Sequence, residues 1–136
     1  MRYFAVIDTN VIVSSLITKN KETATVQVVK AVLDGRITPL YHQDILNEYY
    51  EVLHRPQFHL DDKTINAFIN AIKQFGVEVF PQPSGEILID MDDLIFYEVA
   101  LEKRDSDAYL VIGNLKHYPI RDYIITPSEM MKIIEK

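Results

Sequence analysis

Residues 3–16, YFAVIDTNVIVSSL, change character at a single point. Tyr3 to Ile7 is short and almost wholly apolar, the pattern of a strand buried on both faces in a parallel sheet. Asp8 closes that strand. In an open parallel sheet, ligands gather at the carboxyl ends of the strands, so a carboxylate ending a buried first strand is the first place to look for chemistry. Taken alone, Asp8 is equally well explained as a helix N-cap, because Asp is a preferred cap. Val11 to Leu16 then predicts a helical turn, followed by a polar loop from Thr18 to Thr23.

The alternation continues outward from this stretch. From Ala24, the residues Val26, Val29 and Leu33 keep helical spacing, with Gly35 placed to end the helix. Ile37 to Tyr41 reads as a second strand, and Pro39 predicts a place near a sheet edge. Asp44 to His54 carries Ile45, Leu46, Tyr49, Val52 and Leu53 on one helical face and stops before Pro56. Asp62 to Phe75 repeats the pattern with Ile65, Phe68, Ile69, Ile72 and Phe75, ending at Gly76, and these two helices are expected to form a hairpin on the sheet. Val77 to Phe80 reads as a short strand, PQPSG (residues 81–85) as a loop, and Asp93 to Glu102 as a helix. Ala108 to Ile112 (AYLVI) is a buried strand and Tyr123 to Ile125 a last one. Thr126, Pro127 and Glu129 supply an N-cap, a proline at N1 and an acid at N3, which start a final helix. Strands alternating with helices predict an α/β sandwich around a mainly parallel sheet of 4–5 strands.

The composition sets bounds on this reading. A chain of 136 residues that is 48% hydrophobic suits one domain over 1–136 with its own core. It contains no cysteine, so disulfides and thiolate metal sites are excluded and any metal must be held by oxygen or imidazole. No apolar run approaches the roughly 18 residues of a spanning helix, and the N-terminus runs straight into a strand pattern; the expectation is a soluble, cytoplasmic protein without a membrane partner. A net charge of −6 argues against nucleic-acid binding through the overall field and leaves room for a local basic rim. Lys19, Lys21, Lys103, Arg104, Lys116, His117 and Arg121 are the cations available for such a rim.

Carboxylates recur where strands end and helices begin. Glu48 lies at the border of the apolar face of its helix, where a carboxylate must snorkel, pair or bind a cation; a boundary salt bridge is the plain alternative. Asp90, Asp92 and Asp93 crowd one helix entrance, where negative charge is favoured, yet three acids exceed what capping requires. Asn114 follows the buried AYLVI strand and reads equally as a turn residue. Together these segments supply the oxygen ligands of a hard-cation site. His42, after a strand, and His54, before Arg55-Pro56, are read as structural, since a magnesium site prefers oxygen.

Four segments in order carry a family resemblance: DTNVIVSSL (8–16), ILNEYYEVLHRP (45–56), DMDDLIFYEVA (90–100) and AYLVIGNLKHYP (108–119). Over nearly its whole length the chain resembles PIN domains, in the branch of VapC-like ribonucleases described as toxin components of toxin–antitoxin systems. The resemblance implies a PIN-like three-layer sandwich with Asp8, Glu48 and Asp93 as metal ligands. Thr9, Asn10 and Ser14 would support the first carboxylate or contact the scissile phosphate, and Asp92 would assist. The implied activity is hydrolysis of RNA phosphodiesters with Mg2+ or Mn2+, and the implied partners are an RNA substrate, a cognate antitoxin protein and a second copy in a homodimer. The chain departs from the pattern at Asn114, where Asp is frequent, and at Ile112, where Thr is common. Asn114 still offers a carbonyl oxygen to a water or a second cation, with one negative charge fewer. That departure keeps a second reading open, a PIN-like module that binds RNA or protein with weak or no cleavage. Haloacid-dehalogenase-like phosphatases fit less well because position 10 is Asn where they carry Asp. Receiver domains fit less well because Asp8 lacks neighbouring acids.

Overall fold

A computed structural model describes residues 2–135. Five strands, β1 (Tyr3–Ile7), β2 (Ile37–Tyr41), β3 (Val77–Glu78), β4 (Tyr109–Val111) and β5 (Ile124–Ile125), form one sheet. Their order is β3-β2-β1-β4-β5 and every pairing is parallel. Six helices connect them: α1 (Thr9–Ile17), α2 (Ala24–Leu33), α3 (Gln43–Leu53), α4 (Asp62–Phe75), α5 (Leu94–Glu102) and α6 (Pro127–Ile134). This is the α/β architecture the alternation predicts. One hydrophobic cluster links β1 and β4, whose Ala5, Val6, Leu110 and Val111 are fully buried, to the inner faces of α3, α4 and α5.

The order of the strands positions the chemistry. The chain moves outward from β1 through β2 to β3, then returns to place β4 on the other side of β1. The reversal opens a crevice at the carboxyl ends of β1 and β4, the topological switch point at which open α/β sheets bind ligands. Asp8 sits there, its backbone N–H donating to the carbonyl of Val111 at 2.9 Å.

Several elements differ from the sequence reading. The expected turn at Val11 to Leu16 is a full helix, α1, capped by Asp8, whose side chain accepts from the Thr9 N–H. Pro39 is not at an edge: β2 lies between β1 and β3. Because β3 pairs only with Leu40 and Tyr41, the proline lies outside that ladder. The third strand ends at Glu78 rather than Phe80. Val79 still donates to Tyr41 at 2.7 Å, after which Pro81 and Pro83 lead into an irregular segment reaching Ile89. Leu33 keeps helical spacing but is 49% exposed, since α2 ends there and Gly35 reverses the chain at φ +88°. The fifth helix starts at Leu94 because the side chain of Asp90 captures the Asp92 N–H at 2.9 Å and tightens Met91–Asp93 into a 3₁₀ turn. The box at Thr126 and Glu129 forms as expected, with bonds of 3.2 and 3.0 Å. No helix among the described residues is long and apolar enough to cross a membrane.

Candidate active site

Three elements bring the carboxylates together. The first is the junction of β1 and α1, which buries Asp8 to 6% exposure and anchors Oδ1 on the Thr9 N–H at 2.9 Å. The second is α3. His42 starts this helix by accepting from the Asp44 N–H at 3.0 Å, and Ile45, Leu46, Tyr49 and Leu53 form its buried face. Tyr49 sits between Phe68 and Phe96, with ring centroids 6.0 and 6.2 Å away, and its hydroxyl donates to the carbonyl of Ile7. That bond pins α3 to the end of β1 and holds the adjacent Glu48 against Thr9, whose hydroxyl donates to Glu48 Oε2. The third element is the 3₁₀ turn before α5, which presents Asp93.

The resulting cleft has a volume of about 210 Å³ and is lined by Asp8, Thr9, Asn10, Glu48, Asp90, Asp92, Asp93, Val52, Arg55 and His117. A second depression shares Glu48 and Asp92 with it and extends to Asp44, so acidic surface continues along α3.

The electrostatics are those of crowded acids with too little positive charge. Burial is the largest influence on Asp8, followed by repulsion from Asp93; the Thr9 N–H opposes them and Glu48 adds a smaller push. Together they raise the carboxyl from 3.8 to about 7. Glu48 is raised by burial and by Asp93, Asp92 and Asp90, against the hydrogen bond from Thr9. Asp93 is raised by burial and Asp90, with His117 and Tyr118 pulling the other way. Two polar atoms here are sealed from water without a hydrogen-bond partner, Asp93 Oδ2 and the Tyr118 hydroxyl. Each is the other's neighbour: the Tyr118 phenol lies close enough to Asp93 for hydrogen bonding to draw the carboxyl down, and His117 Nδ1 stands 3.8 Å from Asp93 Oδ2 as an ion pair. The Tyr118 phenol is pushed far up by burial and by Asp8, Asp93 and Glu48.

Orphaned buried oxygens are costly, and a hard divalent cation is the partner that would satisfy them while relieving the mutual repulsion. The donor set therefore fits such an ion in kind: oxygen ligands, a sealed Asp93 Oδ2, and carboxyls held above their ordinary range. Among the described residues no three Asp, Glu or His groups already converge on one point, and Glu48 Oε2 is engaged by Thr9.

Asp8, Glu48 and Asp93 thus share one cleft with Thr9, Asn10 and Asp92. Two residues singled out in the sequence stand apart. The Ser14 hydroxyl pairs with Thr25 at 3.2 Å, tying α1 to α2. Asn114 is exposed, and its amide oxygen accepts from the Lys116 N–H at 3.0 Å, capping the 3₁₀ turn Leu115–His117. Of the rim cations, only His117 lines the cleft. Arg104 donates to the Ala108 carbonyl at 2.5 Å and stacks 4.5 Å from the Tyr123 ring centroid, while Lys103 lines a different depression with Arg2. His42 and His54 have structural bonds: His42 caps α3, and His54 bridges the Tyr50 carbonyl and Asp62, each at 2.7 Å. Arg55 and Tyr118 went unmarked in the sequence. The run ending HRP marks Arg55 only as a helix end, and nothing in the spacing distinguishes Tyr118 from an ordinary core aromatic.

No curated protein matches the chain. A family profile for the PIN domain matches residues 5–115, a stretch that runs from β1 past β4 and includes every cleft-lining residue except His117. With this profile covering most of the sequence, and the carboxylates gathered at the switch point of a parallel sheet, the chain belongs to the PIN-domain family.

Proposed function

We propose that this PIN domain is a divalent-cation-dependent endoribonuclease, using Mg2+ or Mn2+, and that it acts as the toxin of a toxin–antitoxin pair. PIN domains are in general nucleases. The observation that carries the proposal is the shared cleft of Asp8, Glu48 and Asp93, with all three carboxyls raised and Asp93 Oδ2 buried without a geometrically good hydrogen bond.

Phosphodiester hydrolysis is slow because the phosphate is anionic and hydroxide is scarce at neutral pH. Asp8, Glu48 and Asp93 are the residues that would hold a divalent cation, which would neutralise phosphate charge and acidify water. The chain's own residues do the rest. The N–H of Thr9 fixes the Asp8 carboxylate and its hydroxyl fixes Glu48, so two ligands from distant segments are oriented through one residue. Asn10 lies beside the end of β4, where a Cβ on Gly113 would come within 3.9 Å of the Asn10 Cβ, and offers an amide to the scissile phosphate. Arg55, held by Glu51 at 3.1 Å, brings a guanidinium suited to phosphate to the cleft wall. An antitoxin would inhibit by setting a basic group among the acids, and the chain would pair with a second copy as a homodimer.

The competing reading is a binding module with little cleavage, favoured by Asn114 lying outside the cleft and by the absence of a pre-converged ligand set among the described residues. The experiment that separates the two is incubation of single-stranded RNA with the purified protein and Mg2+ or Mn2+. The nuclease reading predicts cleavage that chelation abolishes and Asp8→Asn reduces at least ~100-fold, in line with the loss of a transition-state charge contact. Cleavage that survives both treatments would refute it.

A further inference from the structure

The end of the sheet opposite the acidic cleft carries the reverse charge. Arg2 precedes β1 and Asp8 follows it, so roughly 20 Å of strand separates the two ends at about 3.3 Å per residue. Beside Arg2 opens a cavity of about 240 Å³ lined by Arg2, Phe4, Leu40, Val77, Lys103 and Ser106. A second, of about 260 Å³, shares Arg2 and Ser106 with it and adds Tyr3, Asp107 and Tyr109.

Arg2 is fixed in place. Its Nε donates to Thr38 Oγ1 at 2.9 Å, on a threonine only 5% exposed, and its guanidinium carbon stands 5.1 Å from the centroid of the Phe4 ring. That bond uses Nε alone, which leaves the two terminal nitrogens as a preorganised fork for an oxyanion. Arg36, Arg55 and Arg121 are paired with acids, whereas neither Arg2 nor Lys103 has an ion-pair partner among the described residues. Lys103 also complements the carbonyl end of α5, which accounts for one cation there but not for a guanidinium anchored on a buried threonine. The walls beyond the cations are largely apolar, and Asp107 opposes negative charge in the second cavity. A fitting ligand therefore carries its charge at one end and an uncharged ring at the other.

We propose that Arg2 and Lys103 form a second binding site, independent of any cation, for a phosphate monoester borne on a ring-containing group such as a nucleoside. The phosphate lies between the two cations, and the ring lies on the apolar walls. This site goes beyond the cleavage reading and stands or falls separately from it.

The test titrates the 15N-labelled full chain with 5′-AMP, inorganic phosphate and adenosine at pH 8 in 0.15 M KCl with a chelator, so that no cation bridges phosphate to the acidic cleft. Amide shifts report where each probe binds. The expected result is saturable shifts centred on Phe4, Val77 and Ser106, strongest for 5′-AMP, weaker for phosphate and weakest for adenosine. Arg2→Gln and Lys103→Gln should each lower the 5′-AMP affinity by ~10–100-fold, the loss of one charge-assisted contact. Thr38→Val, which keeps the shape and frees the guanidinium, should lower it by less. Comparing 5′-AMP with a short 5′-phosphorylated RNA and its 5′-hydroxyl counterpart distinguishes a free nucleotide from the end of an RNA, and preference for either phosphorylated probe supports the site. Equal binding of 5′-AMP and adenosine, shifts confined to the acidic cleft, no saturable shift, or an affinity unchanged in both cation variants would overturn it.

Discussion

Replacing Asp8 by Asn should stabilise the metal-free protein at alkaline pH while destroying its function. In the fold the carboxyl of Asp8 titrates at about 7 instead of 3.8, so each pH unit between those values adds to the cost of keeping it ionised. Because the folded value is raised, the group favours the fold below about pH 4, and that advantage is lost as the pH climbs through about 7. At roughly 1.4 kcal/mol per unit the full shift corresponds to ~4 kcal/mol, and ~2–4 kcal/mol after allowing for relaxation among neighbouring acids. Asn keeps the shape and the ability to cap α1 but carries no charge to desolvate. With a urea dependence of about 2 kcal/mol/M, Asp8→Asn should raise the unfolding midpoint by about 1–2 M at pH 8 under chelation and by almost nothing at pH 4. Saturating Mg2+ or Mn2+ should narrow the gap at pH 8, because only the unaltered chain gains binding energy from the ion. Equilibrium urea unfolding monitored by tyrosine fluorescence measures all three conditions. Equal midpoints at pH 8, or a variant less stable there than the unaltered chain, would refute the claim that Asp8 is buried against other carboxylates.

Other substitutions probe how the site is held. Tyr49→Phe removes the hydroxyl that donates to the Ile7 carbonyl; it should cost ~1–2 kcal/mol in urea unfolding and weaken cation binding by loosening Glu48, an effect calorimetry would detect. Gly76→Ala would set a Cβ within 2.5 Å of the Ile72 carbonyl oxygen and 2.6 Å of that of Pro39. With backbone on both sides it should destabilise the fold by at least ~2 kcal/mol, and a midpoint unchanged within error would contradict that packing. Cation affinity should fall by up to about tenfold per pH unit below 7, since Asp8 must release its proton to bind. Titrations in buffers of different ionisation enthalpy at pH 6 and 8 should show proton release that is larger at pH 6.

Much of the fold is legible in the sequence because its central strands are short apolar runs that only a two-sided burial explains. Tyr3 to Ile7 and Tyr109 to Val111 are such runs, and Thr126 with Glu129 marks the last helix by chemistry alone. The third strand is less legible. Val77 to Phe80 looks like a strand by composition, but where it stops depends on the prolines beyond it and on a ladder limited to Leu40 and Tyr41. The acids are visible in the same way: Asp8 from its place at a strand end, Glu48 from its place at the edge of a helical face, and Asp93 from crowding. What the sequence conceals is which side chains turn toward one another. Nothing in it links Thr9 to Glu48, 39 positions away, or shows that Tyr49 fastens α3 to β1. Ser14 and Asn114 are near the site in sequence, yet one faces α2 and the other its own turn. His117, in contrast, lines the cleft from the last position of that turn.

The central claim is that Asp8, Glu48 and Asp93 act together on a phosphodiester. It is tested most directly by single-turnover cleavage of an end-labelled RNA at saturating Mn2+, run in parallel for the unaltered chain, Asp8→Asn, Glu48→Gln, Asp93→Asn, and the exposed control Asp34→Asn. The prediction is a loss of at least ~100-fold in each of the three cleft variants, and a rate within about threefold of the unaltered chain for the control. Cleavage at the full rate in any one of the three, with the protein folded, would contradict the assignment of that carboxylate; full rates in all three would remove the cleft as the site of the reaction.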